Sequence, residues 1–535
     1  MCLIRPAPAL RAVLLERVPT DERSRKAWAS PHRVLGASNA CRLGRRNNDP
    51  IEATTPIPGR AADAGRRFAR ARAEGDASAG LRPPPSWWLR ALGAAGLLGI
   101  LGSVFLLSAG AATRPSTYVP ARSGGWPDWL AGPLRGLGVG TISAGEFQTL
   151  TLIMCGGYAA VLVAAHARAV SLRTVLAAVV AANLVLLLGP PLISQDVFGY
   201  LAFARMGVLH GLDPYTHVAF QMPTDPIYPF VGWPFQHSPY GPLFTLASYA
   251  TAPLGLAGGL WTLKAVAVAG SFVAVALSAR AAGAAGRSRR YAAAFVGLNP
   301  VMLELAVGGA HNDTVVLAFL AGALALTAGA SPRFRGGALA LAAGMGVKVT
   351  AGIVLPFLVL APSAWRERAR VALAAILGLA LVAGVGLIGF GSHALGFLNA
   401  VGEQQQLVAV HSIPAETARL VGLRGTPGWW RHCFVAAFAL VLSYSLWRTA
   451  RGADWRVAAG WSTLALLLST AWLLPWYAIW PLPLAAVGGD RRLRAATLVV
   501  CAYAILIHLP LADPLLSAPV LHAEPRHGHV GGLGR

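Results

Sequence analysis

VALAAILGLALVAGVGLIGF, residues Val371–Phe390, carries no charged side chain. At 1.5 Å per residue a helix of this length spans about 30 Å, the thickness of a bilayer's hydrocarbon core. Immediately before it stands Trp365-Arg-Glu-Arg-Ala-Arg370, a basic cluster suited to the headgroup level. Leu89–Ala112 and Val175–Leu192 are further blocks of comparable length and character. Across all 535 residues the chain is 55% hydrophobic and 13% charged, with a mean hydropathy of +0.55. Soluble domains carry about a quarter charged residues. A soluble enzyme, a fibrous chain and a disordered chain are therefore excluded, and the sequence reads as an all-α polytopic membrane protein.

The net charge of +23 raises the question of nucleic acid. Its distribution answers no: the basic residues lie in the N-terminal tail and in short loops between apolar blocks. The lipid bilayer is the expected partner. The five cysteines form no CxxC pair, so neither a metal knuckle nor a redox pair is indicated. Residues 1–85 hold 16 Lys and Arg against 8 Asp and Glu, with no apolar core of signal-peptide type behind the first basic residues. They read as a disordered, Arg-rich cytoplasmic tail. Residues 86–513 read as the transmembrane domain and 514–535 as a disordered C-terminal tail.

Orientation follows from the positive-inside rule. Spans near 89–112, 148–167, 172–193, 258–281, 291–308, 313–330, 370–390, 431–449, 457–474, 476–488 and 495–512 alternate so that 17 arginines face inward. Only Glu367, Asp454 and Asp490 oppose them there. This predicts about 11–13 transmembrane helices in the plasma membrane, with a cytoplasmic N-terminus. Between Arg335 and Arg366, which should share a side, the apolar stretch is only about one span long. A hairpin of two short helices, 336–346 and 349–361, resolves the conflict and puts Lys348 near its turn. A lysine at membrane depth needs an anion or a wet cavity; otherwise one tilted helix crosses and Lys348 snorkels.

The chemistry-bearing residues gather outside. The extracytoplasmic loop Ser194–Pro242, SQDVFGYLAFARMGVLHGLDPYTHVAFQMPTDPIYPFVGWPFQHSPYGP, is far longer than a connector needs. Val197–His210 has helical spacing and is expected to lie along the membrane surface, with Asp196 either as its N-cap or as a carboxylate beside a cavity. Asp213-Pro214-Tyr215 is turn chemistry by default, and Tyr215, Tyr228, Trp233 and Tyr240 suit an interfacial belt or a sugar-stacking wall. His210, His217 and His237 with Asp196 and Asp213 match no standard metal spacing. No cofactor is assigned, and a divalent metal ion is left open. His311-Asn312-Asp313 is either a helix cap or a polar wall of the same outer cavity. In Gly391–Trp430, Glu416 and Arg419 fit an i,i+3 helix pair, although arginine forks also suit phosphate. Trp472-Leu-Leu-Pro475-Trp476-Tyr477 ends a span with a proline break and interfacial aromatics.

Together these pieces resemble the GT-C membrane glycosyltransferases, and most closely the actinobacterial polyprenol-phosphomannose-dependent α-(1→6)-mannosyltransferases of lipomannan assembly. The similarity rests on Asp196-Val-Phe-Gly-Tyr200, His210–Tyr215, Tyr240-Gly-Pro242, Asn299-Pro300, His311-Asn312-Asp313, Lys348, Ser412-Ile-Pro414 and Pro475-Trp476-Tyr477, in that order, between Leu89 and Ala512. The resemblance implies a GT-C-like fold and a polyprenyl-phosphate-linked sugar donor. It also implies a cell-envelope glycan or glycolipid acceptor, and transfer with inversion at an extracytoplasmic site. Asp196 would be the general base. Lys348, or else Arg419 or Arg424, would meet the donor phosphate. Tyr200, Asp213, Tyr215, His237, Tyr240, His311, Asn312, Asp313, Trp476 and Tyr477 would bind substrate. The family often pairs an acid with its first outer carboxylate; Gln195 stands in that place here. The rival expectation is a membrane transporter or lipid-linked-sugar flippase, which would show paired repeats with broken helices. No repeat is evident in the sequence.

Overall fold

The computed structural model describes residues 86–113 and 127–509; the two expected tails, 1–85 and 514–535, lie outside the described residues. Among the described residues all regular structure is helical. The first helices are α1 Trp87–Ala111, α2 Ala144–His166, α3 Leu172–Leu188 and α4 Asp196–Leu209. The middle of the chain folds into α5 Pro242–Tyr249, α6 Gly255–Ala284, α7 Arg289–Gly297, α8 Asp313–Thr327, α9 Phe334–Val347, α10 Leu355–Leu360 and α11 Trp365–Phe390. The last helices are α12 Gly396–Gln404, α13 Ile413–Leu420, α14 Gly428–Ala450, α15 Trp455–Ser469, α16 Leu482–Gly488 and α17 Arg491–Leu506. Five stretches are each long and apolar enough to cross a membrane: Trp87–Ala111, Ala144–His166, Pro242–Ala284, Trp365–His393 and Gly428–Ala450. Shorter apolar helices stand between them. The chain is an all-α polytopic membrane protein.

Local chemistry sets the helix starts. Ser143 and Glu146 cap each other at the head of α2, where the Glu146 N–H donates to Ser143 Oγ and the Ser143 N–H to Glu146 Oε2. Ser171, Ser288, Asp454 and Asp490 cap α3, α7, α15 and α17. Inside a bilayer, helices gain little from hiding apolar surface, so close packing of small residues brings them together. Gly96 on α1 and Gly157 on α2 show this reciprocally: a Cβ on either would stand 2.6 Å from the other's carbonyl oxygen. The lipid-facing sides of α11 and α14 stay open, with Leu381, Ile388 and Leu440 exposed.

The expected hairpin is present. After α9 the chain turns at Lys348, whose backbone is extended, and returns through Val349–Ile353 and α10. Ala351 packs at Gly344 and Leu358 at Gly337, the contacts of an antiparallel pair. Arg335 Nε lies 3.6 Å from Glu367 Oε1, so both ends of the hairpin share one side. The expected span 291–308 is broken into α7 and a π-helical segment, Val301–Val307. The expected span 476–488 is likewise a short 3-10 turn, Pro475–Ile479, followed by α16.

The segment Val197–His210 forms α4, and within the protein Val197, Phe198, Tyr200, Leu201, Ala202, Phe203, Ala204 and Met206 are all covered. Its residues are apolar round most of the circumference, and such a helix packs against other elements on more than one side. One expectation is corrected: Asp196 is not its cap. Gln195 occupies that position, and Asp196 is the first helical residue, itself only 8% exposed.

Candidate functional site

Two segments with strained backbones build the site. Ile193 (φ 68°) and Ala310 (φ 56°) both adopt the left-handed conformation that side chains disfavour. Ile193 lies three residues before Asp196, and Ala310 immediately before His311. The Leu192 N–H donates to the Gly308 carbonyl at 2.8 Å, fastening the two segments side by side. Each such residue costs about 1–3 kcal/mol and persists where the surroundings hold it, often beside a functional site.

His311-Asn312-Asp313 then contacts three elements at once. His311 is fully buried, with Nδ1 3.3 Å from Asp196 Oδ2, and stacks on the Trp476 ring at 3.9 Å. The Tyr200 hydroxyl lies 3.4 Å from both Asn312 Oδ1 and the Asn312 N–H. Asp313 accepts two bonds from Lys348 Nζ, each 2.9 Å, and one of 2.7 Å from the Trp480 indole N–H. The expected side-chain cap on α8 is absent: Asn312 holds the cap position and its side chain makes no cap bond. Asp313 instead serves as the anion that Lys348 needs. The ammonium also faces the rings of Tyr477 and Trp480, 4.5 and 5.6 Å from their centroids.

Asp196 and Lys348 line one cleft open to solvent. Tyr240, Tyr477, Trp233 and Trp472 are among its walls, and Gln236, His237 and Gln404 add polar groups. Gly241 holds the wall to the hairpin tip. Its N–H donates to the Val347 carbonyl at 2.9 Å, and a Cβ there would come within 2.4 Å of Gly346 O. His237 Nδ1 meets Glu403 of α12 at 2.9 Å.

Of the residues singled out from sequence, Asp196, His237, Tyr240, Lys348 and Tyr477 line this cleft, and Tyr200, His311, Asn312, Asp313 and Trp476 connect behind them. Tyr215 lies further back, its hydroxyl donating to the Tyr240 carbonyl at 2.9 Å. Asp213 behaves as a turn residue, accepting from the Tyr215 N–H at 2.8 Å and pairing with His393 at 2.9 Å. Arg419 does not line the cleft; it pairs with Glu416 and donates to the Val410 carbonyl. Sequence reasoning missed Trp480 and Gln236. Trp480 stands three residues after Tyr477 of the Pro475–Tyr477 motif and could have been included with it. Among the described residues no three His, Cys, Asp or Glu converge as metal ligands. Beside Asp196 a divalent ion would find one imidazole, with Asp313 already engaged by Lys348 and Trp480, which is not a fitting donor set.

Residues 94–364 match the family described as alpha-(1->6)-mannopyranosyltransferase, N-terminal domain, and residues 425–523 match the MptB C-terminal domain. Alpha-(1->6)-mannopyranosyltransferase A of Mycobacterium tuberculosis is 29% identical over 360 residues, 61% of this chain and 67% of that protein. The protein of the same name from Corynebacterium glutamicum is 30% identical over 179 residues, 32% of this chain and 36% of that protein. No solved structure matches the chain. With one family match alone spanning half of its length, the chain belongs to the alpha-(1->6)-mannopyranosyltransferase family.

Proposed function

We propose that this protein transfers mannose from a polyprenyl-phosphate donor to a cell-envelope glycan or glycolipid, at a site open to the outer face of the plasma membrane. The observation that carries the proposal is the shared cleft: a buried carboxylate, Asp196, and a buried ammonium, Lys348, face one space walled by aromatic rings. Membership of the mannosyltransferase family favours this over a transporter or flippase.

The chemistry asks for both groups. Asp196 takes the proton from the acceptor hydroxyl as that oxygen attacks the anomeric carbon. The new glycosidic bond forms on one face of the sugar while the bond from C1 to the phosphate oxygen breaks on the other, inverting the centre. The bonding pair leaves with the phosphate, and charge on that oxygen is stabilised by a cation placed beforehand. Lys348 gives two N–H bonds to Asp313 and keeps a third for the phosphate. His311, packed between Asp196 and Trp476, holds the carboxylate in place. The polyprenyl tail stays in lipid alongside the helices.

The test is transfer of radiolabelled mannose from polyprenyl phosphomannose in membranes overexpressing the chain. Label should pass to a mannan-type acceptor, and GDP-mannose offered alone to donor-depleted membranes should not replace the lipid donor. Direct transfer from the nucleotide sugar would overturn the proposal.

A further inference from the structure

Opposite chemistries stand unpaired in the cleft wall. The Trp472 indole N–H is a donor with no hydrogen-bond partner among the described residues, and the Gln236 side-chain carbonyl is an acceptor with none. Trp472 is only 6% exposed, and both residues line the cleft. A buried amide or indole without a partner is uncommon in a folded protein, and two of opposite polarity on one cleft call for a ligand that both donates and accepts. A sugar hydroxyl does both.

The surrounding rings fit the same ligand. Trp233 and Trp472 meet edge to face, with centroids 5.5 Å apart and planes at 77°. Both unpaired atoms are buried, so a pyranose ring reaches them only as this wall yields, and then has an aromatic face to lie on. The Gln236 N–H donates to the Trp233 carbonyl at 3.2 Å, so the platform and the acceptor sit on one tight turn. The neighbouring His237 and its partner Glu403 are partly open to solvent, whereas Asp196 and Lys348 are almost fully covered. This end of the cleft therefore suits the sugar chain of the acceptor, which comes from the water side.

We propose that Gln236, Trp472 and Trp233 form the subsite for the acceptor sugar, with Gln236 accepting from one hydroxyl, Trp472 donating to one, and Trp233 stacking on the ring. The assignment rests on the proposed transferase function, but its recognition chemistry is separable from catalysis. Donor and acceptor both carry hexose hydroxyls, so the test must tell them apart.

Trp472→Phe keeps an aromatic ring and removes the N–H; Gln236→Met keeps the length and removes the carbonyl. Each should raise KM for the acceptor about tenfold, the effect of one hydrogen bond, with the donor KM unmoved. A rise in the donor KM alone would mean that the subsite holds the donor sugar, and unchanged KM for both would mean that the unpaired groups are structural; either result overturns the assignment. Independently of any turnover, methyl α-mannoside titrated into the Asp196→Asn protein should change tryptophan fluorescence as the Trp233–Trp472 pair parts. The change should be lost in Asp196→Asn/Trp472→Phe. A saturable signal persisting unweakened in that double variant would place the sugar elsewhere. Should transfer itself fail while this binding holds, the proposed function falls and the sugar subsite stands.

Discussion

Replacing Lys348 with Met separates two roles that the structure superposes on one ammonium. Lys348 is 8% exposed and makes two 2.9 Å bonds to Asp313, which is fully buried. Removing the lysine leaves a buried carboxylate with one side-chain donor among the described residues, the Trp480 indole N–H at 2.7 Å. Breaking one side of such a pair usually destabilises by about 3–5 kcal/mol. Lys348→Met alone should therefore lower the unfolding temperature of the detergent-solubilised protein, and its lost activity would not be interpretable. The double variant Lys348→Met/Asp313→Asn removes both charges, and the Asn carbonyl still accepts from Trp480. Its unfolding temperature should return close to wild type. Activity should not return if Lys348 holds the donor phosphate: a charge-assisted hydrogen bond is worth about 1.5–3 kcal/mol, so transfer should stay roughly 10- to 150-fold down. Thermal unfolding and labelled-mannose transfer on the same three preparations decide the matter. A double variant that regains both stability and turnover would show that Lys348 is only the counterion of Asp313.

Three further outcomes are expected. Thr224 is exposed in the Ser194–Pro242 loop, so Thr224→Cys should react with an impermeant thiol reagent in intact cells; labelling only after lysis would reverse the proposed orientation. Gly241→Ala should reduce transfer at least tenfold while the protein still inserts, because its Cβ must push the Gly346 carbonyl and with it the hairpin tip bearing Lys348; normal activity would mean that the tip moves freely. Asp225 is buried in the same loop. Burial alone would raise its carboxyl pKa, but bonds from Arg205 (2.8 Å), His210 (2.7 Å) and the Ile227 N–H (2.9 Å) outweigh this and hold it below the ordinary range. A carboxylate with a depressed folded pKa stabilises fully above its unfolded value, about 3.9, and the contribution fades as pH falls through the folded value. The wild type's thermal advantage over Asp225→Asn should hold steady from pH 7 to about 4 and shrink below; an advantage already fading at pH 6 would contradict this origin.

The membrane class and the helical hairpin were legible because both are written in short-range patterns. An uncharged run such as Val371–Phe390 declares a span, and Arg335 and Arg366 at either end of too short a stretch force a turn at Lys348. Which residues would share the cleft was legible from their common placement in segments expected on one side of the membrane. Their partners were not. Lys348 meets Asp313 across 35 positions, Tyr200 meets Asn312 across 112, and Trp480 meets Asp313 across 167. No periodicity connects residues so far apart, and the cap chemistry of Asp and Asn offered a simpler local explanation for Asp196 and Asn312. How fully other elements cover α4 was not legible, because the covering residues come from distant parts of the chain. The left-handed backbone at Ile193 and Ala310 has no signature in these residue types, since glycine is what such positions normally announce.

Asp196→Asn tests the catalytic assignment most directly. Asparagine keeps the side chain's size and removes the negative charge and the proton-accepting oxygen. If Asp196 is the base, membranes carrying well-expressed Asp196→Asn should transfer labelled mannose from polyprenyl phosphomannose about 10²- to 10⁴-fold more slowly than wild type, with the thermal unfolding of the solubilised protein little changed. Retention of more than about a tenth of wild-type turnover, a barrier change below about 1.4 kcal/mol, would contradict the assignment and remove Asp196 from the chemistry.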